Sequence, residues 1–368
     1  MVMRTLPNHA WPRRAAAVAA ACLIGLLLAG PAVAQVSNAQ IELRVADTGK
    51  LPLPGVTVKL TNTATGLERT LPTDAAGLAR FAALPPGTYS VRLDLDGFAP
   101  VAEENLALRV GQVLRVNAVM QQATTRTEAV TVTAEVPLVD IVKTDSSTNI
   151  VPQQIQSLPV PDRDFQKLAF IAPGVERERG GYRFISGDPV IGAGGNASQA
   201  TIMVDGVDFT DPALGLARVQ FSQDAIAEFR VITNRFDTEI GGSAGGALSV
   251  VTRSGTNDLM GTVFAYYRAD NLRAKGALDL PCGANSGCNK YDRGQYGFTL
   301  GGPIVKDKTH FFLSTEYVKT DDVPLAFRPG GAFASEAADI PHPWDQMMTF
   351  ASIDHSVSDS QRLAAKFT

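Results

Sequence analysis

Histidine and cysteine are scarce in this chain, and an excess of charge of either sign is missing. There are 4 histidines in 368 residues. They are scattered, and none has a serine or cysteine partner nearby, so the sequence displays no nucleophile–base apparatus. Basic and acidic residues number 33 and 37, a formal net charge of −4. That balance gives no electrostatic footprint for nucleic acid, and none is expected as a partner. Beyond the N-terminus no run is long and apolar enough for a transmembrane helix. Glycine and proline, in contrast, are plentiful, at 33 and 22 residues. The length allows two or three domains.

The first 34 residues read as an address label. Arg4, Arg13 and Arg14 supply a positive n-region, Ala15 to Ala29 an apolar core, and Ala32-Val33-Ala34 an A-x-A site. Cleavage between Ala34 and Gln35 is expected. An uncleaved anchor fits less well because the apolar stretch is short. Lipid attachment at Cys22 is disfavoured by Ala19 and by the apolar sequence that continues past it. Two cysteines then remain, Cys282 and Cys288, flanking Gly-Ala-Asn-Ser-Gly. In an exported protein such a pair reads as a disulfide, contributing about 2 kcal/mol in the chain-entropy model. A metal site would need further ligands, and the next histidine is His310.

Residues 35–120 alternate apolar and polar at Ile41–Val45, Val56–Thr61, Gly77–Phe81, Tyr89–Leu95 and Val113–Val119, with turn residues between. The spacing predicts a small antiparallel β-sandwich. A linker, 121–137, contains the β-prone run Glu128, Ala129, Val130, Thr131, Val132, Thr133 and Ala134. Two readings stand: a strand of the preceding domain, or a strand free to add to a partner's sheet edge. Residues 138–256 predict a mixed α/β block with glycine-heavy loops. It has helices at Gln153–Leu158 and Asp162–Ile171, the second capped by Asp162, strands at Thr201–Val204 and Ala247–Thr252, and a helix end running into a strand over Ala225–Thr233. From 257 to 368, strands at Thr262–Arg268, Gln295–Gly301, His310–Tyr317, Met347–Asp354 and from Arg362 are joined by long, short, long and short connections. That asymmetry is the loop pattern of outer-membrane β-barrels. Five strands cannot close a barrel without leaving open edges in hydrocarbon, so the expectation is the N-terminal portion of a larger outer-membrane protein.

Particular stretches carry a resemblance. "PLPGVTVKLTNTATG" followed by "TDAAGLARFAALPPGTYSVRLDLDGF" resembles the carboxypeptidase regulatory-like domain, a transthyretin-like Greek-key module. "ATIMVDGVDFTDP", "DAIAEFRVITNRFDTEIGGSAGGALSVVTRSGTNDLMGTVFAYYRADNLRA" and "GQYGFTLGGPIVKDKTHFFLSTEY" follow the order of the Oar-like subgroup of TonB-dependent receptors. This resemblance implies a β-sandwich, then an α/β plug, then the first strands of an antiparallel transmembrane barrel. It implies that residues 128–134 are a TonB box, to which the inner-membrane TonB protein adds as a strand. It also implies an outer-membrane location with the N-terminal domain in the periplasm, lipid around the barrel, and an extracellular ligand whose identity the sequence does not give.

Two further features invite chemistry. Asp205, Asp208 and Asp211 stand three apart and could suggest calcium, against which solvated turn carboxylates beside Gly206 and Pro212 are the favoured reading. Gly241, Gly242, Gly245 and Gly246 lack the Lys-Ser/Thr of a phosphate loop and read as bends and close-packing points. The chain is therefore expected to be no enzyme, with no cofactor and no metal. Transport energised from the inner membrane is the leading expectation, and a non-transporting adhesion or signalling protein of the same architecture is the alternative.

Overall fold

The computed structural model describes residues 39–123, 130–131, 146–158, 160–178, 188–192, 197–211, 215–234, 240–269, 272, 291–322, 325–327, 338–340, 343–358 and 361–368. The signal segment with its Ala34–Gln35 junction lies outside the described residues. So do Cys282, Cys288, Glu128, Ala129, Val132, Thr133 and Ala134.

The N-terminal sandwich is built from β1 (Ala39–Asp47), β2 (Thr57–Asn62), β3 (Glu68–Pro72), β4 (Leu78–Leu84), β5 (Gly87–Asp94), β6 (Val101–Leu108), β7 (Val113–Met120) and β8 (Val130–Thr131). One sheet runs β4-β1-β7 and the other β3-β2-β5-β6-β8. Period-2 alternation turns Ile41, Leu43 and Val45 of the first sheet inward onto Val58, Leu60, Val91 and Leu93 of the second, all in one buried core. Thr73 ties the entry loop, accepting the Val56 amide at 2.9 Å and donating to the Leu53 carbonyl at 2.7 Å. Five of these strands match the predicted segments. Two were not predicted. β3 is an edge strand with almost every residue exposed, so it carries no alternation. In β6 the pairing register slips opposite Tyr89–Val91, and Asn105 has a φ of 61°, which breaks the period.

The second block is a five-stranded mixed sheet. Its strands are β9 (Ser146–Ile150), β12 (Thr201–Val204), β13 (Val207–Asp208), β14 (Ile226–Asn234) and β15 (Ala247–Thr252), in the order β13-β12-β15-β14-β9. A small ribbon of β10 (Val175–Arg177) and β11 (Pro189–Ile191) lies beside it. β12 and β15 pair in parallel, and β15 is buried along its whole length, Ser249 and Thr252 included, as strands covered on both faces are. Gly246 allows this crowding. A Cβ there would strike the Ile232 carbonyl and the Ile191 side chain. Gly242 (φ 75°) makes a bend that only glycine takes without strain.

Helix α1 (Pro152–Ser157) falls where expected. The helix expected over Asp162–Ile171 with Asp162 as its cap is corrected. Asp162 and Arg163 take φ values of 58° and 55°, which no α-helix accommodates, and the chain instead forms two 3-10 turns, Pro161–Arg163 and Phe165–Ile171. Asp164 is the cap, its carboxylate accepting the Gln166 amide at 3.1 Å. The segment expected as a helix end running into a strand at Ala225 is a 3-10 turn, Gln223–Ala225, leading directly into β14.

The third block is an antiparallel meander of β16 (Met260–Arg268), β17 (Tyr291–Val305), β18 (Thr309–Asp322), β21 (Trp344–Ser358) and β22 (Gln361–Phe367), hydrogen-bonded in that order. A short hairpin of β19 (Leu325–Phe327) and β20 (Ala338–Ile340) lies within the connection from β18 to β21. The tight turn at 306–308 and the short link between β21 and β22 fall at one end, and the longer connections at the other. One face carries Val263, Tyr267, Tyr296, Phe298, Leu300, Tyr317, Met347, Ile353, Leu363 and Phe367, all exposed. The other face turns Gln295, Thr299, His310, Phe312, Ser314, Glu316, Phe350, Ser352 and Asp354 inward, all buried. Among the described residues no helix is long and apolar enough to cross a membrane, which says nothing of strands.

Candidate functional site: a charged seam between the mixed sheet and the meander

The inner face of the meander rests on the mixed-sheet block through two kinds of contact. The first is aromatic. Phe312 and Phe350 of the meander join the buried core of the mixed sheet, Phe350 meeting Phe221 edge-on at 6.3 Å between centroids and Phe312 at 6.2 Å. Phe221 in turn contacts Phe165 at 5.9 Å. Such edge contacts add to the area term, about 0.5–1.5 kcal/mol each.

The second is ionic and centres on Glu316. Its side chain is only 1% exposed, yet it sits on a strand whose other face is apolar. The Ser222 hydroxyl donates to Glu316 Oε2 at 2.6 Å, and Gln295 Nε2 donates to Oε1 at 2.9 Å. Arg163 Nε lies 3.8 Å from Oε1, and the same guanidinium makes a close ion pair with Asp224. A buried carboxylate without such partners would cost several kcal/mol. Here one cation, one hydroxyl and one amide surround it. The Arg163 guanidinium also lies over the rings of Tyr266 and Phe264, 4.4 and 4.9 Å from their centroids, an arrangement that attracts a cation.

Local backbone geometry aims this arginine. The left-handed pair Asp162-Arg163 lifts the turn toward the meander. The Asp162 carbonyl then accepts from Arg293 Nη2 at 3.2 Å and Gln295 Nε2 at 3.3 Å, while its carboxylate pairs with Arg268 at 3.2 Å. Two non-glycine residues at positive φ in succession cost about 1–3 kcal/mol each and persist where the surroundings over-determine them. Next to them, burial pushes the Asp164 carboxyl upward, with Lys167 opposing. Of these residues only Asp162 was singled out from the sequence, and as a helix cap; Arg163, Asp164 and Glu316 were not. The signal was present but divided: Pro161-Asp162-Arg163-Asp164 is a dense charge run before an apolar stretch, and Glu316 occupies the polar phase of a strand whose apolar phase is Phe311, Leu313 and Tyr317.

The three aspartates are not gathered into a cation site. Asp205 (φ 51°) binds the Thr252 amide at 3.0 Å and its hydroxyl at 2.7 Å, and pairs with Lys366 of β22 at 3.0 Å. It is thus a tie between β12, β15 and the meander rather than a solvated turn carboxylate. Asp208 accepts the Thr210 amide at 2.8 Å, closing its own turn. Among the described residues no group of three or more His, Cys, Asp or Glu stands close enough to hold a metal ion.

Of the β-prone segment 128–134, only Val130 and Thr131 are described. They form β8, pairing in parallel with Val101 and Ala102 at the free edge of β6.

Two stretches of the chain match known domain families. Residues 40–121 match the carboxypeptidase regulatory-like domain, and residues 251–345 match the outer membrane beta barrel domain. Among solved structures, the siderophore receptor PirA from Acinetobacter baumannii aligns with a TM-score of 0.44 and 19% identity, over 60% of this chain and 31% of that one. The outer membrane transporter YddB from Escherichia coli aligns with a TM-score of 0.45 and 11% identity, over 58% and 31%. At these scores neither carries an argument about function. In sequence the chain is 31% identical over 298 residues to the TonB-dependent transporter Oar of Myxococcus xanthus, covering 78% of this chain and 27% of that protein. The chain is thus similar to TonB-dependent transporter Oar, and it carries a regulatory-like sandwich and an outer-membrane beta-barrel match in that order.

Proposed function

We propose that this chain belongs to a TonB-dependent outer-membrane transporter and supplies its periplasmic sandwich, its plug and the first strands of its barrel. The observation that carries the reading is the inverted meander: its apolar residues face out, and its polar residues face in against the mixed sheet. An antiparallel sheet of this kind is suited to lipid on one side and to a plugged lumen on the other. The mixed sheet of 146–252 is the plug, and the Glu316–Arg163–Asp224 seam holds it to the wall. The similarity to Oar, a transporter by name, supports the same reading, although the chain spans about a quarter of that relative's length (27%). The reading is non-enzymatic.

The ends of the meander support an orientation. Short turns face the periplasm in outer-membrane barrels, and the sandwich meets the short-turn end, where the Asn257 amide beside the 306–308 turn donates to the Ala64 carbonyl at 2.8 Å. The N-terminal sandwich is therefore periplasmic. Segment 128–134 is the stretch to which the inner-membrane TonB protein adds as a strand. Main-chain hydrogen bonds loaded together along a strand transmit a pull well. Because Val130 and Thr131 already pair with β6, TonB has to compete with or extend that edge. The ligand enters from outside.

The test is fractionation joined to crosslinking. The protein is expected in the outer-membrane fraction, and a photo-crosslinker at Val130 is expected to capture TonB in energised cells. Thr131→Pro, which removes a main-chain donor from the added strand and keeps the crosslinker in place, should leave the location unchanged and weaken the crosslink. Recovery in a soluble or inner-membrane fraction sinks the assignment as a whole. Recovery in the outer membrane with no TonB adduct sinks the coupling step alone.

A further inference from the structure

Both turns at one end of the sandwich's larger sheet are engaged by residues of the other two blocks. The register Asn62↔Tyr89 and Gly87↔Leu108 puts the β2–β3 turn (63–66) and the β6–β7 turn (109–112) at the same end of that sheet. At the second turn, the Val110 amide donates to Glu228 Oε2 of β14 at 3.0 Å, and the Val110 carbonyl accepts from Asn149 Nδ2 of β9 at 3.4 Å. Asn149 Nδ2 also reaches Glu228 Oε1 at 3.2 Å. Val110 and Glu228 are 1% and 4% exposed, so a backbone amide of one block and a carboxylate of another are buried against each other. Neither is compensated in this way if the blocks part. The adjoining Gly111 has a φ of 65°, and a Cβ there would overlap the Arg230 guanidinium of β14.

The first turn repeats this design. The Asn62 side chain accepts the amides of Ala64 and Thr65 at 3.0 and 3.1 Å, shaping the turn. The Ala64 carbonyl then accepts the Asn257 amide at 2.8 Å. Gly66 has a φ of 70°, and a Cβ there would overlap the Asp307 carboxylate. Asn257 and Asp307 are locked together, with the Asp307 amide donating to Asn257 Oδ1 at 2.8 Å and Asn257 Nδ2 donating to Asp307 Oδ1 at 2.7 Å. His310 Nε2 lies 2.9 Å from the same Asn257 oxygen. Each turn thus uses one left-handed glycine where a foreign side chain leaves no room for a Cβ. Each also directs main-chain hydrogen bonding out of the sandwich, through the Ala64 carbonyl in the first turn and the Val110 amide and carbonyl in the second.

We propose that the sandwich is a seated clamp, a specific intramolecular interface in which its two end turns grip the mixed sheet at Glu228 and the meander turn at Asn257–Asp307. The sandwich is then not a module trailing on a linker. It holds β14 and β9 at the end of the mixed sheet that the clamp covers, and releasing one turn loosens the other, because both belong to the same sheet end. This interface stands without the transport reading. If that reading also holds, the clamp braces the plug in its resting state, and a pull on the segment near β8 has to move or release it.

Hydrogen exchange on the full-length protein in detergent tests the clamp, with no ligand required. In the wild type, the two amides that donate across the interface, Val110 and Asn257, are expected to exchange slowly, read from peptides covering 109–112 and 255–258. Glu228→Ala is expected to speed exchange of both by tenfold or more, including the 255–258 peptide that Glu228 does not touch. Peptides from β1 and β5 in the sandwich core should stay protected. Gly111→Val, made on the other side of the interface, should give the same pattern, and Glu228→Gln, which keeps an acceptor for Val110, should retain most of the protection. Fast exchange of both peptides in the wild type overturns the proposal, as does a Glu228→Ala effect confined to 109–112. If Glu228→Ala unfolds the mixed sheet, Gly111→Val decides the matter alone. These outcomes are independent of TonB crosslinking, so the clamp and the transport assignment can fail separately.

Discussion

The sandwich and the meander are both made of alternating strands, yet they dispose of their apolar residues in opposite ways. In the sandwich, Ile41, Leu43, Val58 and Leu93 are sealed inside and the charged phase of each strand meets water. In the meander, Val263, Phe298, Met347 and Leu363 are exposed, and Glu316, Asp354 and His310 are buried. A period of two specifies a strand and its two faces; it does not say which face is the interior. The solvent on the far side decides that. Two of the buried glutamates, one in each region, make the same point. Glu316 is surrounded by Arg163, Ser222 and Gln295. Glu103, 3% exposed in the sandwich, has one carboxylate oxygen with no hydrogen-bond partner, and burial pushes its carboxyl upward.

Substitutions at matched positions can break this contrast. The largest effect is expected for Leu43→Ala in the sandwich core, about 4 kcal/mol of lost stability from the cavity it leaves. Chemical denaturation followed by exchange of β1 amides measures it. The corresponding truncation Val263→Ala, at a side chain 89% exposed, should change stability by about 0.5 kcal/mol or less. Equal losses at the two sites would end the inside-out description.

Glu316→Ala comes next, at about 3 kcal/mol. It leaves the buried Arg163 with Asp224 alone and removes the acceptor of Ser222 and Gln295. Faster exchange at 161–165 and 222–226 is the readout. No change there would mean that the seam is ornamental.

On the outer face, Phe298→Arg is expected to cost about 2 kcal/mol or more of stability in a bilayer and to lower the yield of membrane-inserted protein. In water the same residue is already exposed, so an undiminished yield would argue for a soluble meander.

The smallest effect is expected for Glu103→Gln, a gain of about 1 kcal/mol at neutral pH. The sign follows from the raised carboxyl. The folded state keeps the proton to higher pH than the unfolded chain, so the Glu103 contribution is complete below the ordinary value of 4.5 and is lost as pH rises through the folded value. Melting of wild type and variant at pH 4 and pH 7 should therefore converge at the lower pH. A variant less stable than wild type at pH 7 would contradict the account.

Legibility in the sequence varied with how local the cause was. β12 and β15 were predicted to the residue, because continuous or alternating apolar runs bounded by Asp-Gly and Gly-Gly signals need no distant information. β3 and β9 were not found. One is an exposed edge strand and the other, Ser-Ser-Thr-Asn-Ile, is polar and exists because β14 offers it a ladder. Asp162 looked like a helix cap by residue type, but contacts with Arg293, Gln295 and Arg268 hold it in a left-handed turn, and Asp164 takes the capping role. Asp205 read as a loop carboxylate until Thr252 and Lys366 were brought to it from 47 and more residues away.

The sequence by itself determined where most strands lie and the long-short alternation of the meander's connections. These follow from periodicity and turn chemistry, which act over a few residues. Only the tertiary structure decided which face of each strand is the interior, which carboxylates are paired, and that the two end turns of the sandwich are closed by Glu228 and Asn257. Those features join residues far apart in the chain. They are set by burial, which removes water as the alternative partner and makes each pairing obligatory.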